Sequence, residues 1–187
     1  SVRVLGKNPS RLDESEETIF YQQLGVFFQE GALLNSLTVS ENIALPLEQH
    51  TDLSPALIGE VVRLKLQLVN LRDSYYQFPS QLSGGMLKRA ALARAIVMDP
   101  VLLFCDEPGA GLDPVSMAAL DELIVNLKKL LGMTVVMVTH EVASILRIAD
   151  RIVFLEEGKI IFTGTLTDAL ESDIPSLKEF FTKGKGG

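Results

Sequence analysis

One cysteine is all this chain has. Cys105 stands inside an apolar run, so no disulfide framework is possible and a reducing compartment is the fitting one. Long hydrophobic runs are also lacking. No stretch approaches the roughly 18 apolar residues of a spanning helix. The opening "SVRVLGKNPSRLDESEE" has no apolar centre of the signal-peptide kind. The expectation is a protein that is soluble, or attached to a membrane only through partners. Excess positive charge is absent too. The net charge is -7 and the isoelectric point about 4.9, which disfavours a nucleic-acid surface. Sustained heptads, a basic stripe and fixed-period repeats are all missing.

What is present is globular. Hydrophobic residues make up 47% of 187 residues and charged ones 22%, enough for one core with a small additional lobe. "VRVLG" predicts a short strand. "QQLGVFFQ", Gln22 to Gln29, predicts a buried strand ending on a polar residue. A helix is expected from Val39 to Leu47. Another should begin at Ser54 as cap and Pro55, with its apolar face on Leu57, Val61, Leu64, Leu68 and Leu71. "DPVLLFCDEP" and "MTVVMVTH" predict buried parallel strands. Between them, Asp113 and Pro114 open a long helix that Gly132 closes. "DRIVFLEEGKIIFTG" predicts a hairpin turning at Glu157-Gly158. Two short helices and a frayed "KGKGG" tail follow. Strands alternating with helices imply a parallel sheet covered on both faces, and 30–98, without strand signal, reads as an inserted helical lobe.

Three patterns point to chemistry. In "QLSGGMLKRAALARAI", Gln81 to Ile96, Ser83 can cap a helix while Gly84 and Gly85 bring its N–H groups close to an anion. A bare glycine turn reads the same way, and Lys88 with Arg89 reads as a solvated helix face. In "VLLFCDEP", Asp106 and Glu107 end a core strand, where open α/β sheets bind ligands. Asp106 can hold Mg²⁺ through water, and Glu107 can orient or deprotonate a water. His140 ends the following strand, so adjacent parallel strands would set it beside Glu107.

The order of these patterns resembles the ATP-binding cassette (ABC) ATPases, over nearly the whole chain. By that resemblance Gln29 is the Q-loop residue, "LSGGM" the signature, "LLFCDE" the Walker B strand, "AGLD", ending at Asp113, the D-loop, and His140 the switch histidine. "FFQEGALLNSLTVSENIALPLEQHT" and Met86 are similar to the ATPases of Mla-type lipid-trafficking importers; His50 is a marker of that subfamily. The implied fold is α/β, a P-loop NTPase-like parallel-sheet core with an inserted helical subdomain. The implied division is 1–29 as a core remnant, 30–98 as the helical subdomain, 99–164 as the RecA-like core and 165–187 as C-terminal helices and tail.

The resemblance further implies ATP hydrolysis coupled to (phospho)lipid transport. Glu107, His140 and Gln29 would be catalytic. Ser83, Gly84, Gly85 and Asp113 would contact ATP, and Asp106 and Gln29 would face Mg²⁺. A second ATPase subunit would complete a homodimer, and a permease would dock near 30–47 at the cytoplasmic face of a bacterial inner membrane. An amino-acid or other polar-solute importer and a non-catalytic fragment are the alternatives; a DNA-acting chromosome ATPase lacks its coiled coils here. One departure is "EPGAGLDP", where Gly109 and Ala110 stand for the family's frequent Thr-Ser. A larger one is the phosphate loop. It needs two glycines five apart before Lys and Ser or Thr, and no two glycines here have that spacing. The sequence therefore reads as a cassette without its first strands and phosphate loop. The expectations are no measurable ATP hydrolysis by these residues alone and exposed apolar surface that favours self-association.

Overall fold

In a computed structural model of the chain, which describes residues 2–183, helices and strands follow the order the sequence implies. Helix α1 (Glu14–Gln22) leads into strand β1 (Leu24–Phe27). Helices α2 (Val39–His50), α3 (Pro55–Leu68) and α4 (Gly84–Ala95) form a lobe. Strand β2 (Leu102–Asp106), helix α5 (Pro114–Leu131), strand β3 (Thr134–Val138) and helix α6 (Val142–Ile148) return to the core. A hairpin of β4 (Arg151–Glu156) and β5 (Lys159–Thr165) precedes helices α7 (Leu166–Glu171) and α8 (Pro175–Lys183).

Local chemistry sets most boundaries. Asp13, Thr38 and Thr165 each close a reciprocal capping box at the start of α1, α2 and α7. Ser54 caps α3, with Pro55 in its first turn. Asp113 accepts two backbone N–H bonds ahead of Pro114, and Gly132 ends α5 in a left-handed conformation. Glu157 and Gly158, with φ of 49° and 75°, make the tight turn between β4 and β5, whose twist matches a hairpin. The expected "KGKGG" tail lies outside the described residues from 184 onward.

The first sheet is parallel in the order β1-β2-β3, and β4-β5 form a separate antiparallel pair. One core cluster runs from the helical lobe through the sheet into α5. It holds Phe27, Ile43, Leu66, Leu92, Leu103, Cys105 and Ile124. Helix α4 packs so close to β1 that a side chain at Gly25 would lie 2.5 Å from the Ala95 carbonyl oxygen. A second cluster joins Val142, Ala169, Leu177 and Phe181 beside the hairpin. A cavity of about 330 Å³, lined by Ile124, Val135, Met137, Ile145 and Ile152, lies between β3 and β4.

Four expectations need correction. "VRVLG" is no strand. Val4 and Lys7 form a single bridge around Leu5-Gly6, both at positive φ, because Gly6 turns the chain back at once. The strand at "QQLGVFFQ" is buried on one face only, that at "MTVVMVTH" is half-open throughout, and the sheet is not covered on both faces. Val26, Phe104 and Val136 share one row, and Val26 and Val136 are each 44% exposed while Val138 is 63% exposed. Helices pack on the other face, where Phe27, Leu103 and Cys105 are buried. The exposed apolar surface expected from the sequence is thus this sheet face.

Fourth, the fully buried α3 positions are offset by one residue from the expected stripe: Val61 and Leu68 pack partly on the core and Leu71 is buried, but Leu57 and Leu64 are exposed. The buried positions are Ile58, Val62, Lys65 and Leu66, and Lys65 reaches out to an ion pair with Asp99. The sequence shows two overlapping apolar stripes there, and packing against α2 and α4 selects one. The expected consequence is a Leu66→Ala loss of about 2–5 kcal/mol. Leu64→Ala, at a residue 60% exposed, should cost less than about 0.5 kcal/mol. Urea unfolding of the two variants checks this, and the reverse order would restore the other stripe.

Candidate functional site

Strand register brings three chain ends to one level. Phe27 pairs with Cys105 and Cys105 with Met137. Gln29, Glu107 and Thr139 therefore each stand two residues beyond that row, at the carboxyl end of the parallel sheet. This is the end at which open α/β sheets present ligand-binding groups.

Glu107 is the most constrained of them. Its φ is 43°, a left-handed conformation that costs a non-glycine residue about 1–2 kcal/mol. Its N–H donates to the Val138 carbonyl at 2.9 Å, which ties the turn after β2 to the end of β3. The carboxylate is then fixed at both oxygens. Thr139 Oγ1 donates to Oε2 at 3.0 Å. The His140 N–H donates to Oε1 at 3.1 Å, and His140 Nδ1 lies 2.7 Å from the same oxygen. Strain of this kind persists only where the surroundings over-determine it. The Glu107 side chain is 17% exposed and that of His140 75%, so a half-sheltered carboxylate sits under a solvent-facing imidazole. The sequence-based expectation that His140 lies beside Glu107 is met. Thr139 was missed; its only signal was its place between strand and histidine.

The hydrogen bond to Glu107 raises the His140 imidazole above its ordinary 6.5. The charges of Glu107 and Glu141 add to this, against a lowering by burial. Asp106, one residue before Glu107, is exposed and pairs with Val138 in the sheet. Among the described residues no group of three or more His, Cys, Asp or Glu side chains could hold a metal. The exposed Asp106 is a single carboxylate, and Mg²⁺ commonly takes one or two protein carboxylates with water and phosphate completing its shell.

The serine–diglycine corner is built as expected from its residues. Ser83 caps α4, accepting from the Met86 N–H at 3.3 Å. Neither Gly84 nor Gly85 has positive φ. A side chain at Gly84 would meet only Leu112 at 3.8 Å, and one at Gly85 only Ser116 at 4.0 Å. Among the described residues nothing requires glycine at either place, although glycine is a weak helix former. The corner lies beside the start of α5, where Asp113 Oδ1 accepts from the Val115 and Ser116 N–H groups at 3.0 Å. Hydrogen bonds from Ser116 hold the Asp113 carboxyl below the usual carboxylate range. Among the described residues no hydrogen bond joins this corner to Glu107 or His140. At Gly109, a departure from the family pattern, an added Cβ would come within 2.9 Å of Met117.

Lys88 and Arg89 are not a solvated face. Lys88 donates to the Gln29 carbonyl. Arg89 donates to the carbonyls of Gly85 and Asn70, each at 3.4 Å. The Gln29 and Asn70 carbonyls that help hold them leave no mark in the local sequence. Cys105 is a core residue whose thiol burial pushes up to about 12. Among the described residues no helix is long and apolar enough to cross a membrane.

The comparisons with known proteins place the chain in a family. The family model described as "ABC transporter" matches residues 1–110, and the chain belongs to that family of ATP-binding cassettes. It is 41% identical over 167 residues to the intermembrane phospholipid transport system ATP-binding protein MlaF of Haemophilus influenzae, covering 89% of this chain and 63% of that protein. The Escherichia coli K12 protein of the same name is 39% identical over 175 residues, covering 94% of this chain and 65% of that one. The chain thus spans slightly less than two thirds of the length of these relatives. An ATP-binding cassette solved as a dimer in a post-hydrolysis state with ADP and Pi is 29% identical, with a TM-score of 0.76 over 87% of this chain and 72% of that one.

The raised imidazole has a direct consequence for stability. A folded-state value above the unfolded one stabilises fully below about pH 6.5, and that contribution is lost as pH rises through the raised value. His140→Gln should therefore lower Tm by about 1–3 °C near pH 6 and by almost nothing near pH 9. Equal shifts at both pH values in thermal melts would contradict the pairing.

Proposed function

We propose that this chain is the larger part of an ATP-hydrolysing transport subunit that works as a head-to-tail pair. The observation that carries this reading is Glu107, held in left-handed backbone at the strand end with its carboxylate spanned by Thr139 and His140. The Glu107 carboxylate in that place accepts a proton from an attacking water, and the imidazole beside it, 2.7 Å from Oε1, holds the carboxylate in position. Asp106 and the Gln29 amide face the metal side of the nucleotide. Mg²⁺, when bound, supplies neutralising charge to the phosphates.

The Ser83–Gly85 corner belongs to the second half of the site. Two helix-weakening glycines with nothing packed against them leave backbone N–H groups open to a terminal phosphoryl group. That group would be presented by the phosphate loop of the other subunit, and Asp113 shapes the turn between the halves. ATP then closes the pair because only the triphosphate reaches both sides, and hydrolysis releases it. Residues 30–98 act as the signature lobe and 99–164 as the RecA-like core. The segment 30–47 docks a permease at the cytoplasmic face of a bacterial inner membrane. Phospholipid is the cargo that fits the similarity to proteins named for intermembrane phospholipid transport.

Two outcomes test this in the intact protein with its permease in vesicles. Glu107→Gln should lower ATP turnover by about 10²–10⁴-fold and leave an ATP-dependent dimer in light scattering; unchanged turnover refutes the role. Gln29→Ala should keep nucleotide affinity within about twofold while transfer of labelled phospholipid stops. Uptake of a polar solute in place of phospholipid transfer would overturn the cargo.

A further inference from the structure

The loop after β1 is held from one side by α4. Gly31 and Ala32 both have positive φ, 74° and 50°. Arg94 Nη2 donates to the Gly31 carbonyl at 2.9 Å and its Nη1 to the Ala32 carbonyl at 2.8 Å. Lys88, on the same helix, donates to the Gln29 carbonyl, and its ammonium lies 5.9 Å from the centre of the Phe27 ring. Asn42 of α2 holds the far end of the loop, accepting the Leu34 N–H at 2.7 Å and donating to the Leu34 carbonyl at 3.0 Å.

These two cations are used in an unusual way. Neither forms an ion pair among the described residues, and burial makes both give up a proton more readily. Removing a cation from water without a counter-ion is unfavourable unless its hydrogen bonds are satisfied. Here the main acceptors are carbonyls of a single short loop, 59 to 63 residues away in sequence, with Asn42 Oδ1 at 3.5 Å from Arg94 and the charge of Glu30 favouring the Lys88 cation. The helix carrying them begins at Ser83, Gly84 and Gly85, and Lys88 stands one turn beyond Gly85. A shift of α4 therefore drags the backbone of Gln29 with it.

We propose that Lys88 and Arg94 are positioning residues that clasp the Gln29 loop to α4, so that the Gln29 amide and the serine–diglycine corner move as one body. This rests on the reading that Gln29 faces the nucleotide. The clasp links two nucleotide-facing parts of one chain that serve the two different ATP sites of the pair: the corner cannot engage the partner's triphosphate without also setting the glutamine at this chain's own site.

The test uses the intact ATPase with Lys88→Met, Lys88→Arg and Arg94→Gln, each alone and combined with Gln29→Ala. Lys88→Met should lower kcat about tenfold with KM for ATP changed by less than about twofold, and Lys88→Arg should restore most of it. In the Gln29→Ala background, Lys88→Met and Arg94→Gln should cost nothing more, since a lost positioning group has no effect once its target is gone. Equal losses in both backgrounds would overturn the clasp. Amide hydrogen exchange gives a readout independent of turnover. Lys88→Met and Arg94→Gln should speed exchange of 30–37 about tenfold and leave β2 and α5 unchanged. Unchanged protection of 30–37, or a uniform rise across the chain, would also overturn it. If the unsubstituted protein hydrolyses no ATP, the functional reading falls while the exchange data still judge the clasp.

Discussion

The turn after β2 governs the rest of the site. Glu107 occupies a backbone region that L-residues avoid, and it stays there because its own N–H is bound to the end of β3 and its carboxylate to Thr139 and His140. Each bond crosses from one strand to the next, so the register of β2 against β3 decides whether the carboxylate is fixed or free. A slip of one residue would exchange the buried row of Leu103 and Cys105 for the open row of Phe104. The apolar core and the acid–imidazole pair are thus two results of the same pairing.

A second layer of control comes from α4. That helix buries Ala90, Leu92 and Ala93 against the core, caps itself with Ser83, and sends Lys88 and Arg94 to the carbonyls after β1. Small residues let it lie close to β1, where Gly25 leaves no room for a side chain beneath Ala95. Close packing fixes the helix, and the helix fixes the loop. The two weak glycines at its start then stand out, since neither packing nor backbone geometry asks for them.

Much of this was legible because it is local. Caps at Asp113 and Ser54, the Gly132 stop, and the Glu157-Gly158 turn depend on neighbours within four residues. The pairing of Glu107 with His140 was legible from parallel order alone. What failed depended on distant partners. Lys88 and Arg89 look like an exposed basic pair until the loop 59 residues upstream folds onto Lys88 and the Asn70 carbonyl, 19 residues upstream, meets Arg89. The α3 stripe could lie on Leu64 or on Leu66, and only α2 and α4 choose between them. Val26 and Val136 carry strand-forming side chains that read as buried, whereas an open sheet face is a property of the assembly. "VRVLG" has strand composition, but among the described residues it pairs only through the single Val4–Lys7 bridge.

The account stands on Glu107 and His140 behaving as one electrostatic unit at the strand ends. The most direct measurement is an NMR titration of the His140 ring in the natural chain and in Glu107→Gln. The natural imidazole should titrate above the ordinary 6.5, and in the variant it should fall back toward that value. An imidazole that titrates at the same pH in both proteins would show that the two side chains do not act together, and the site described here would lose its centre.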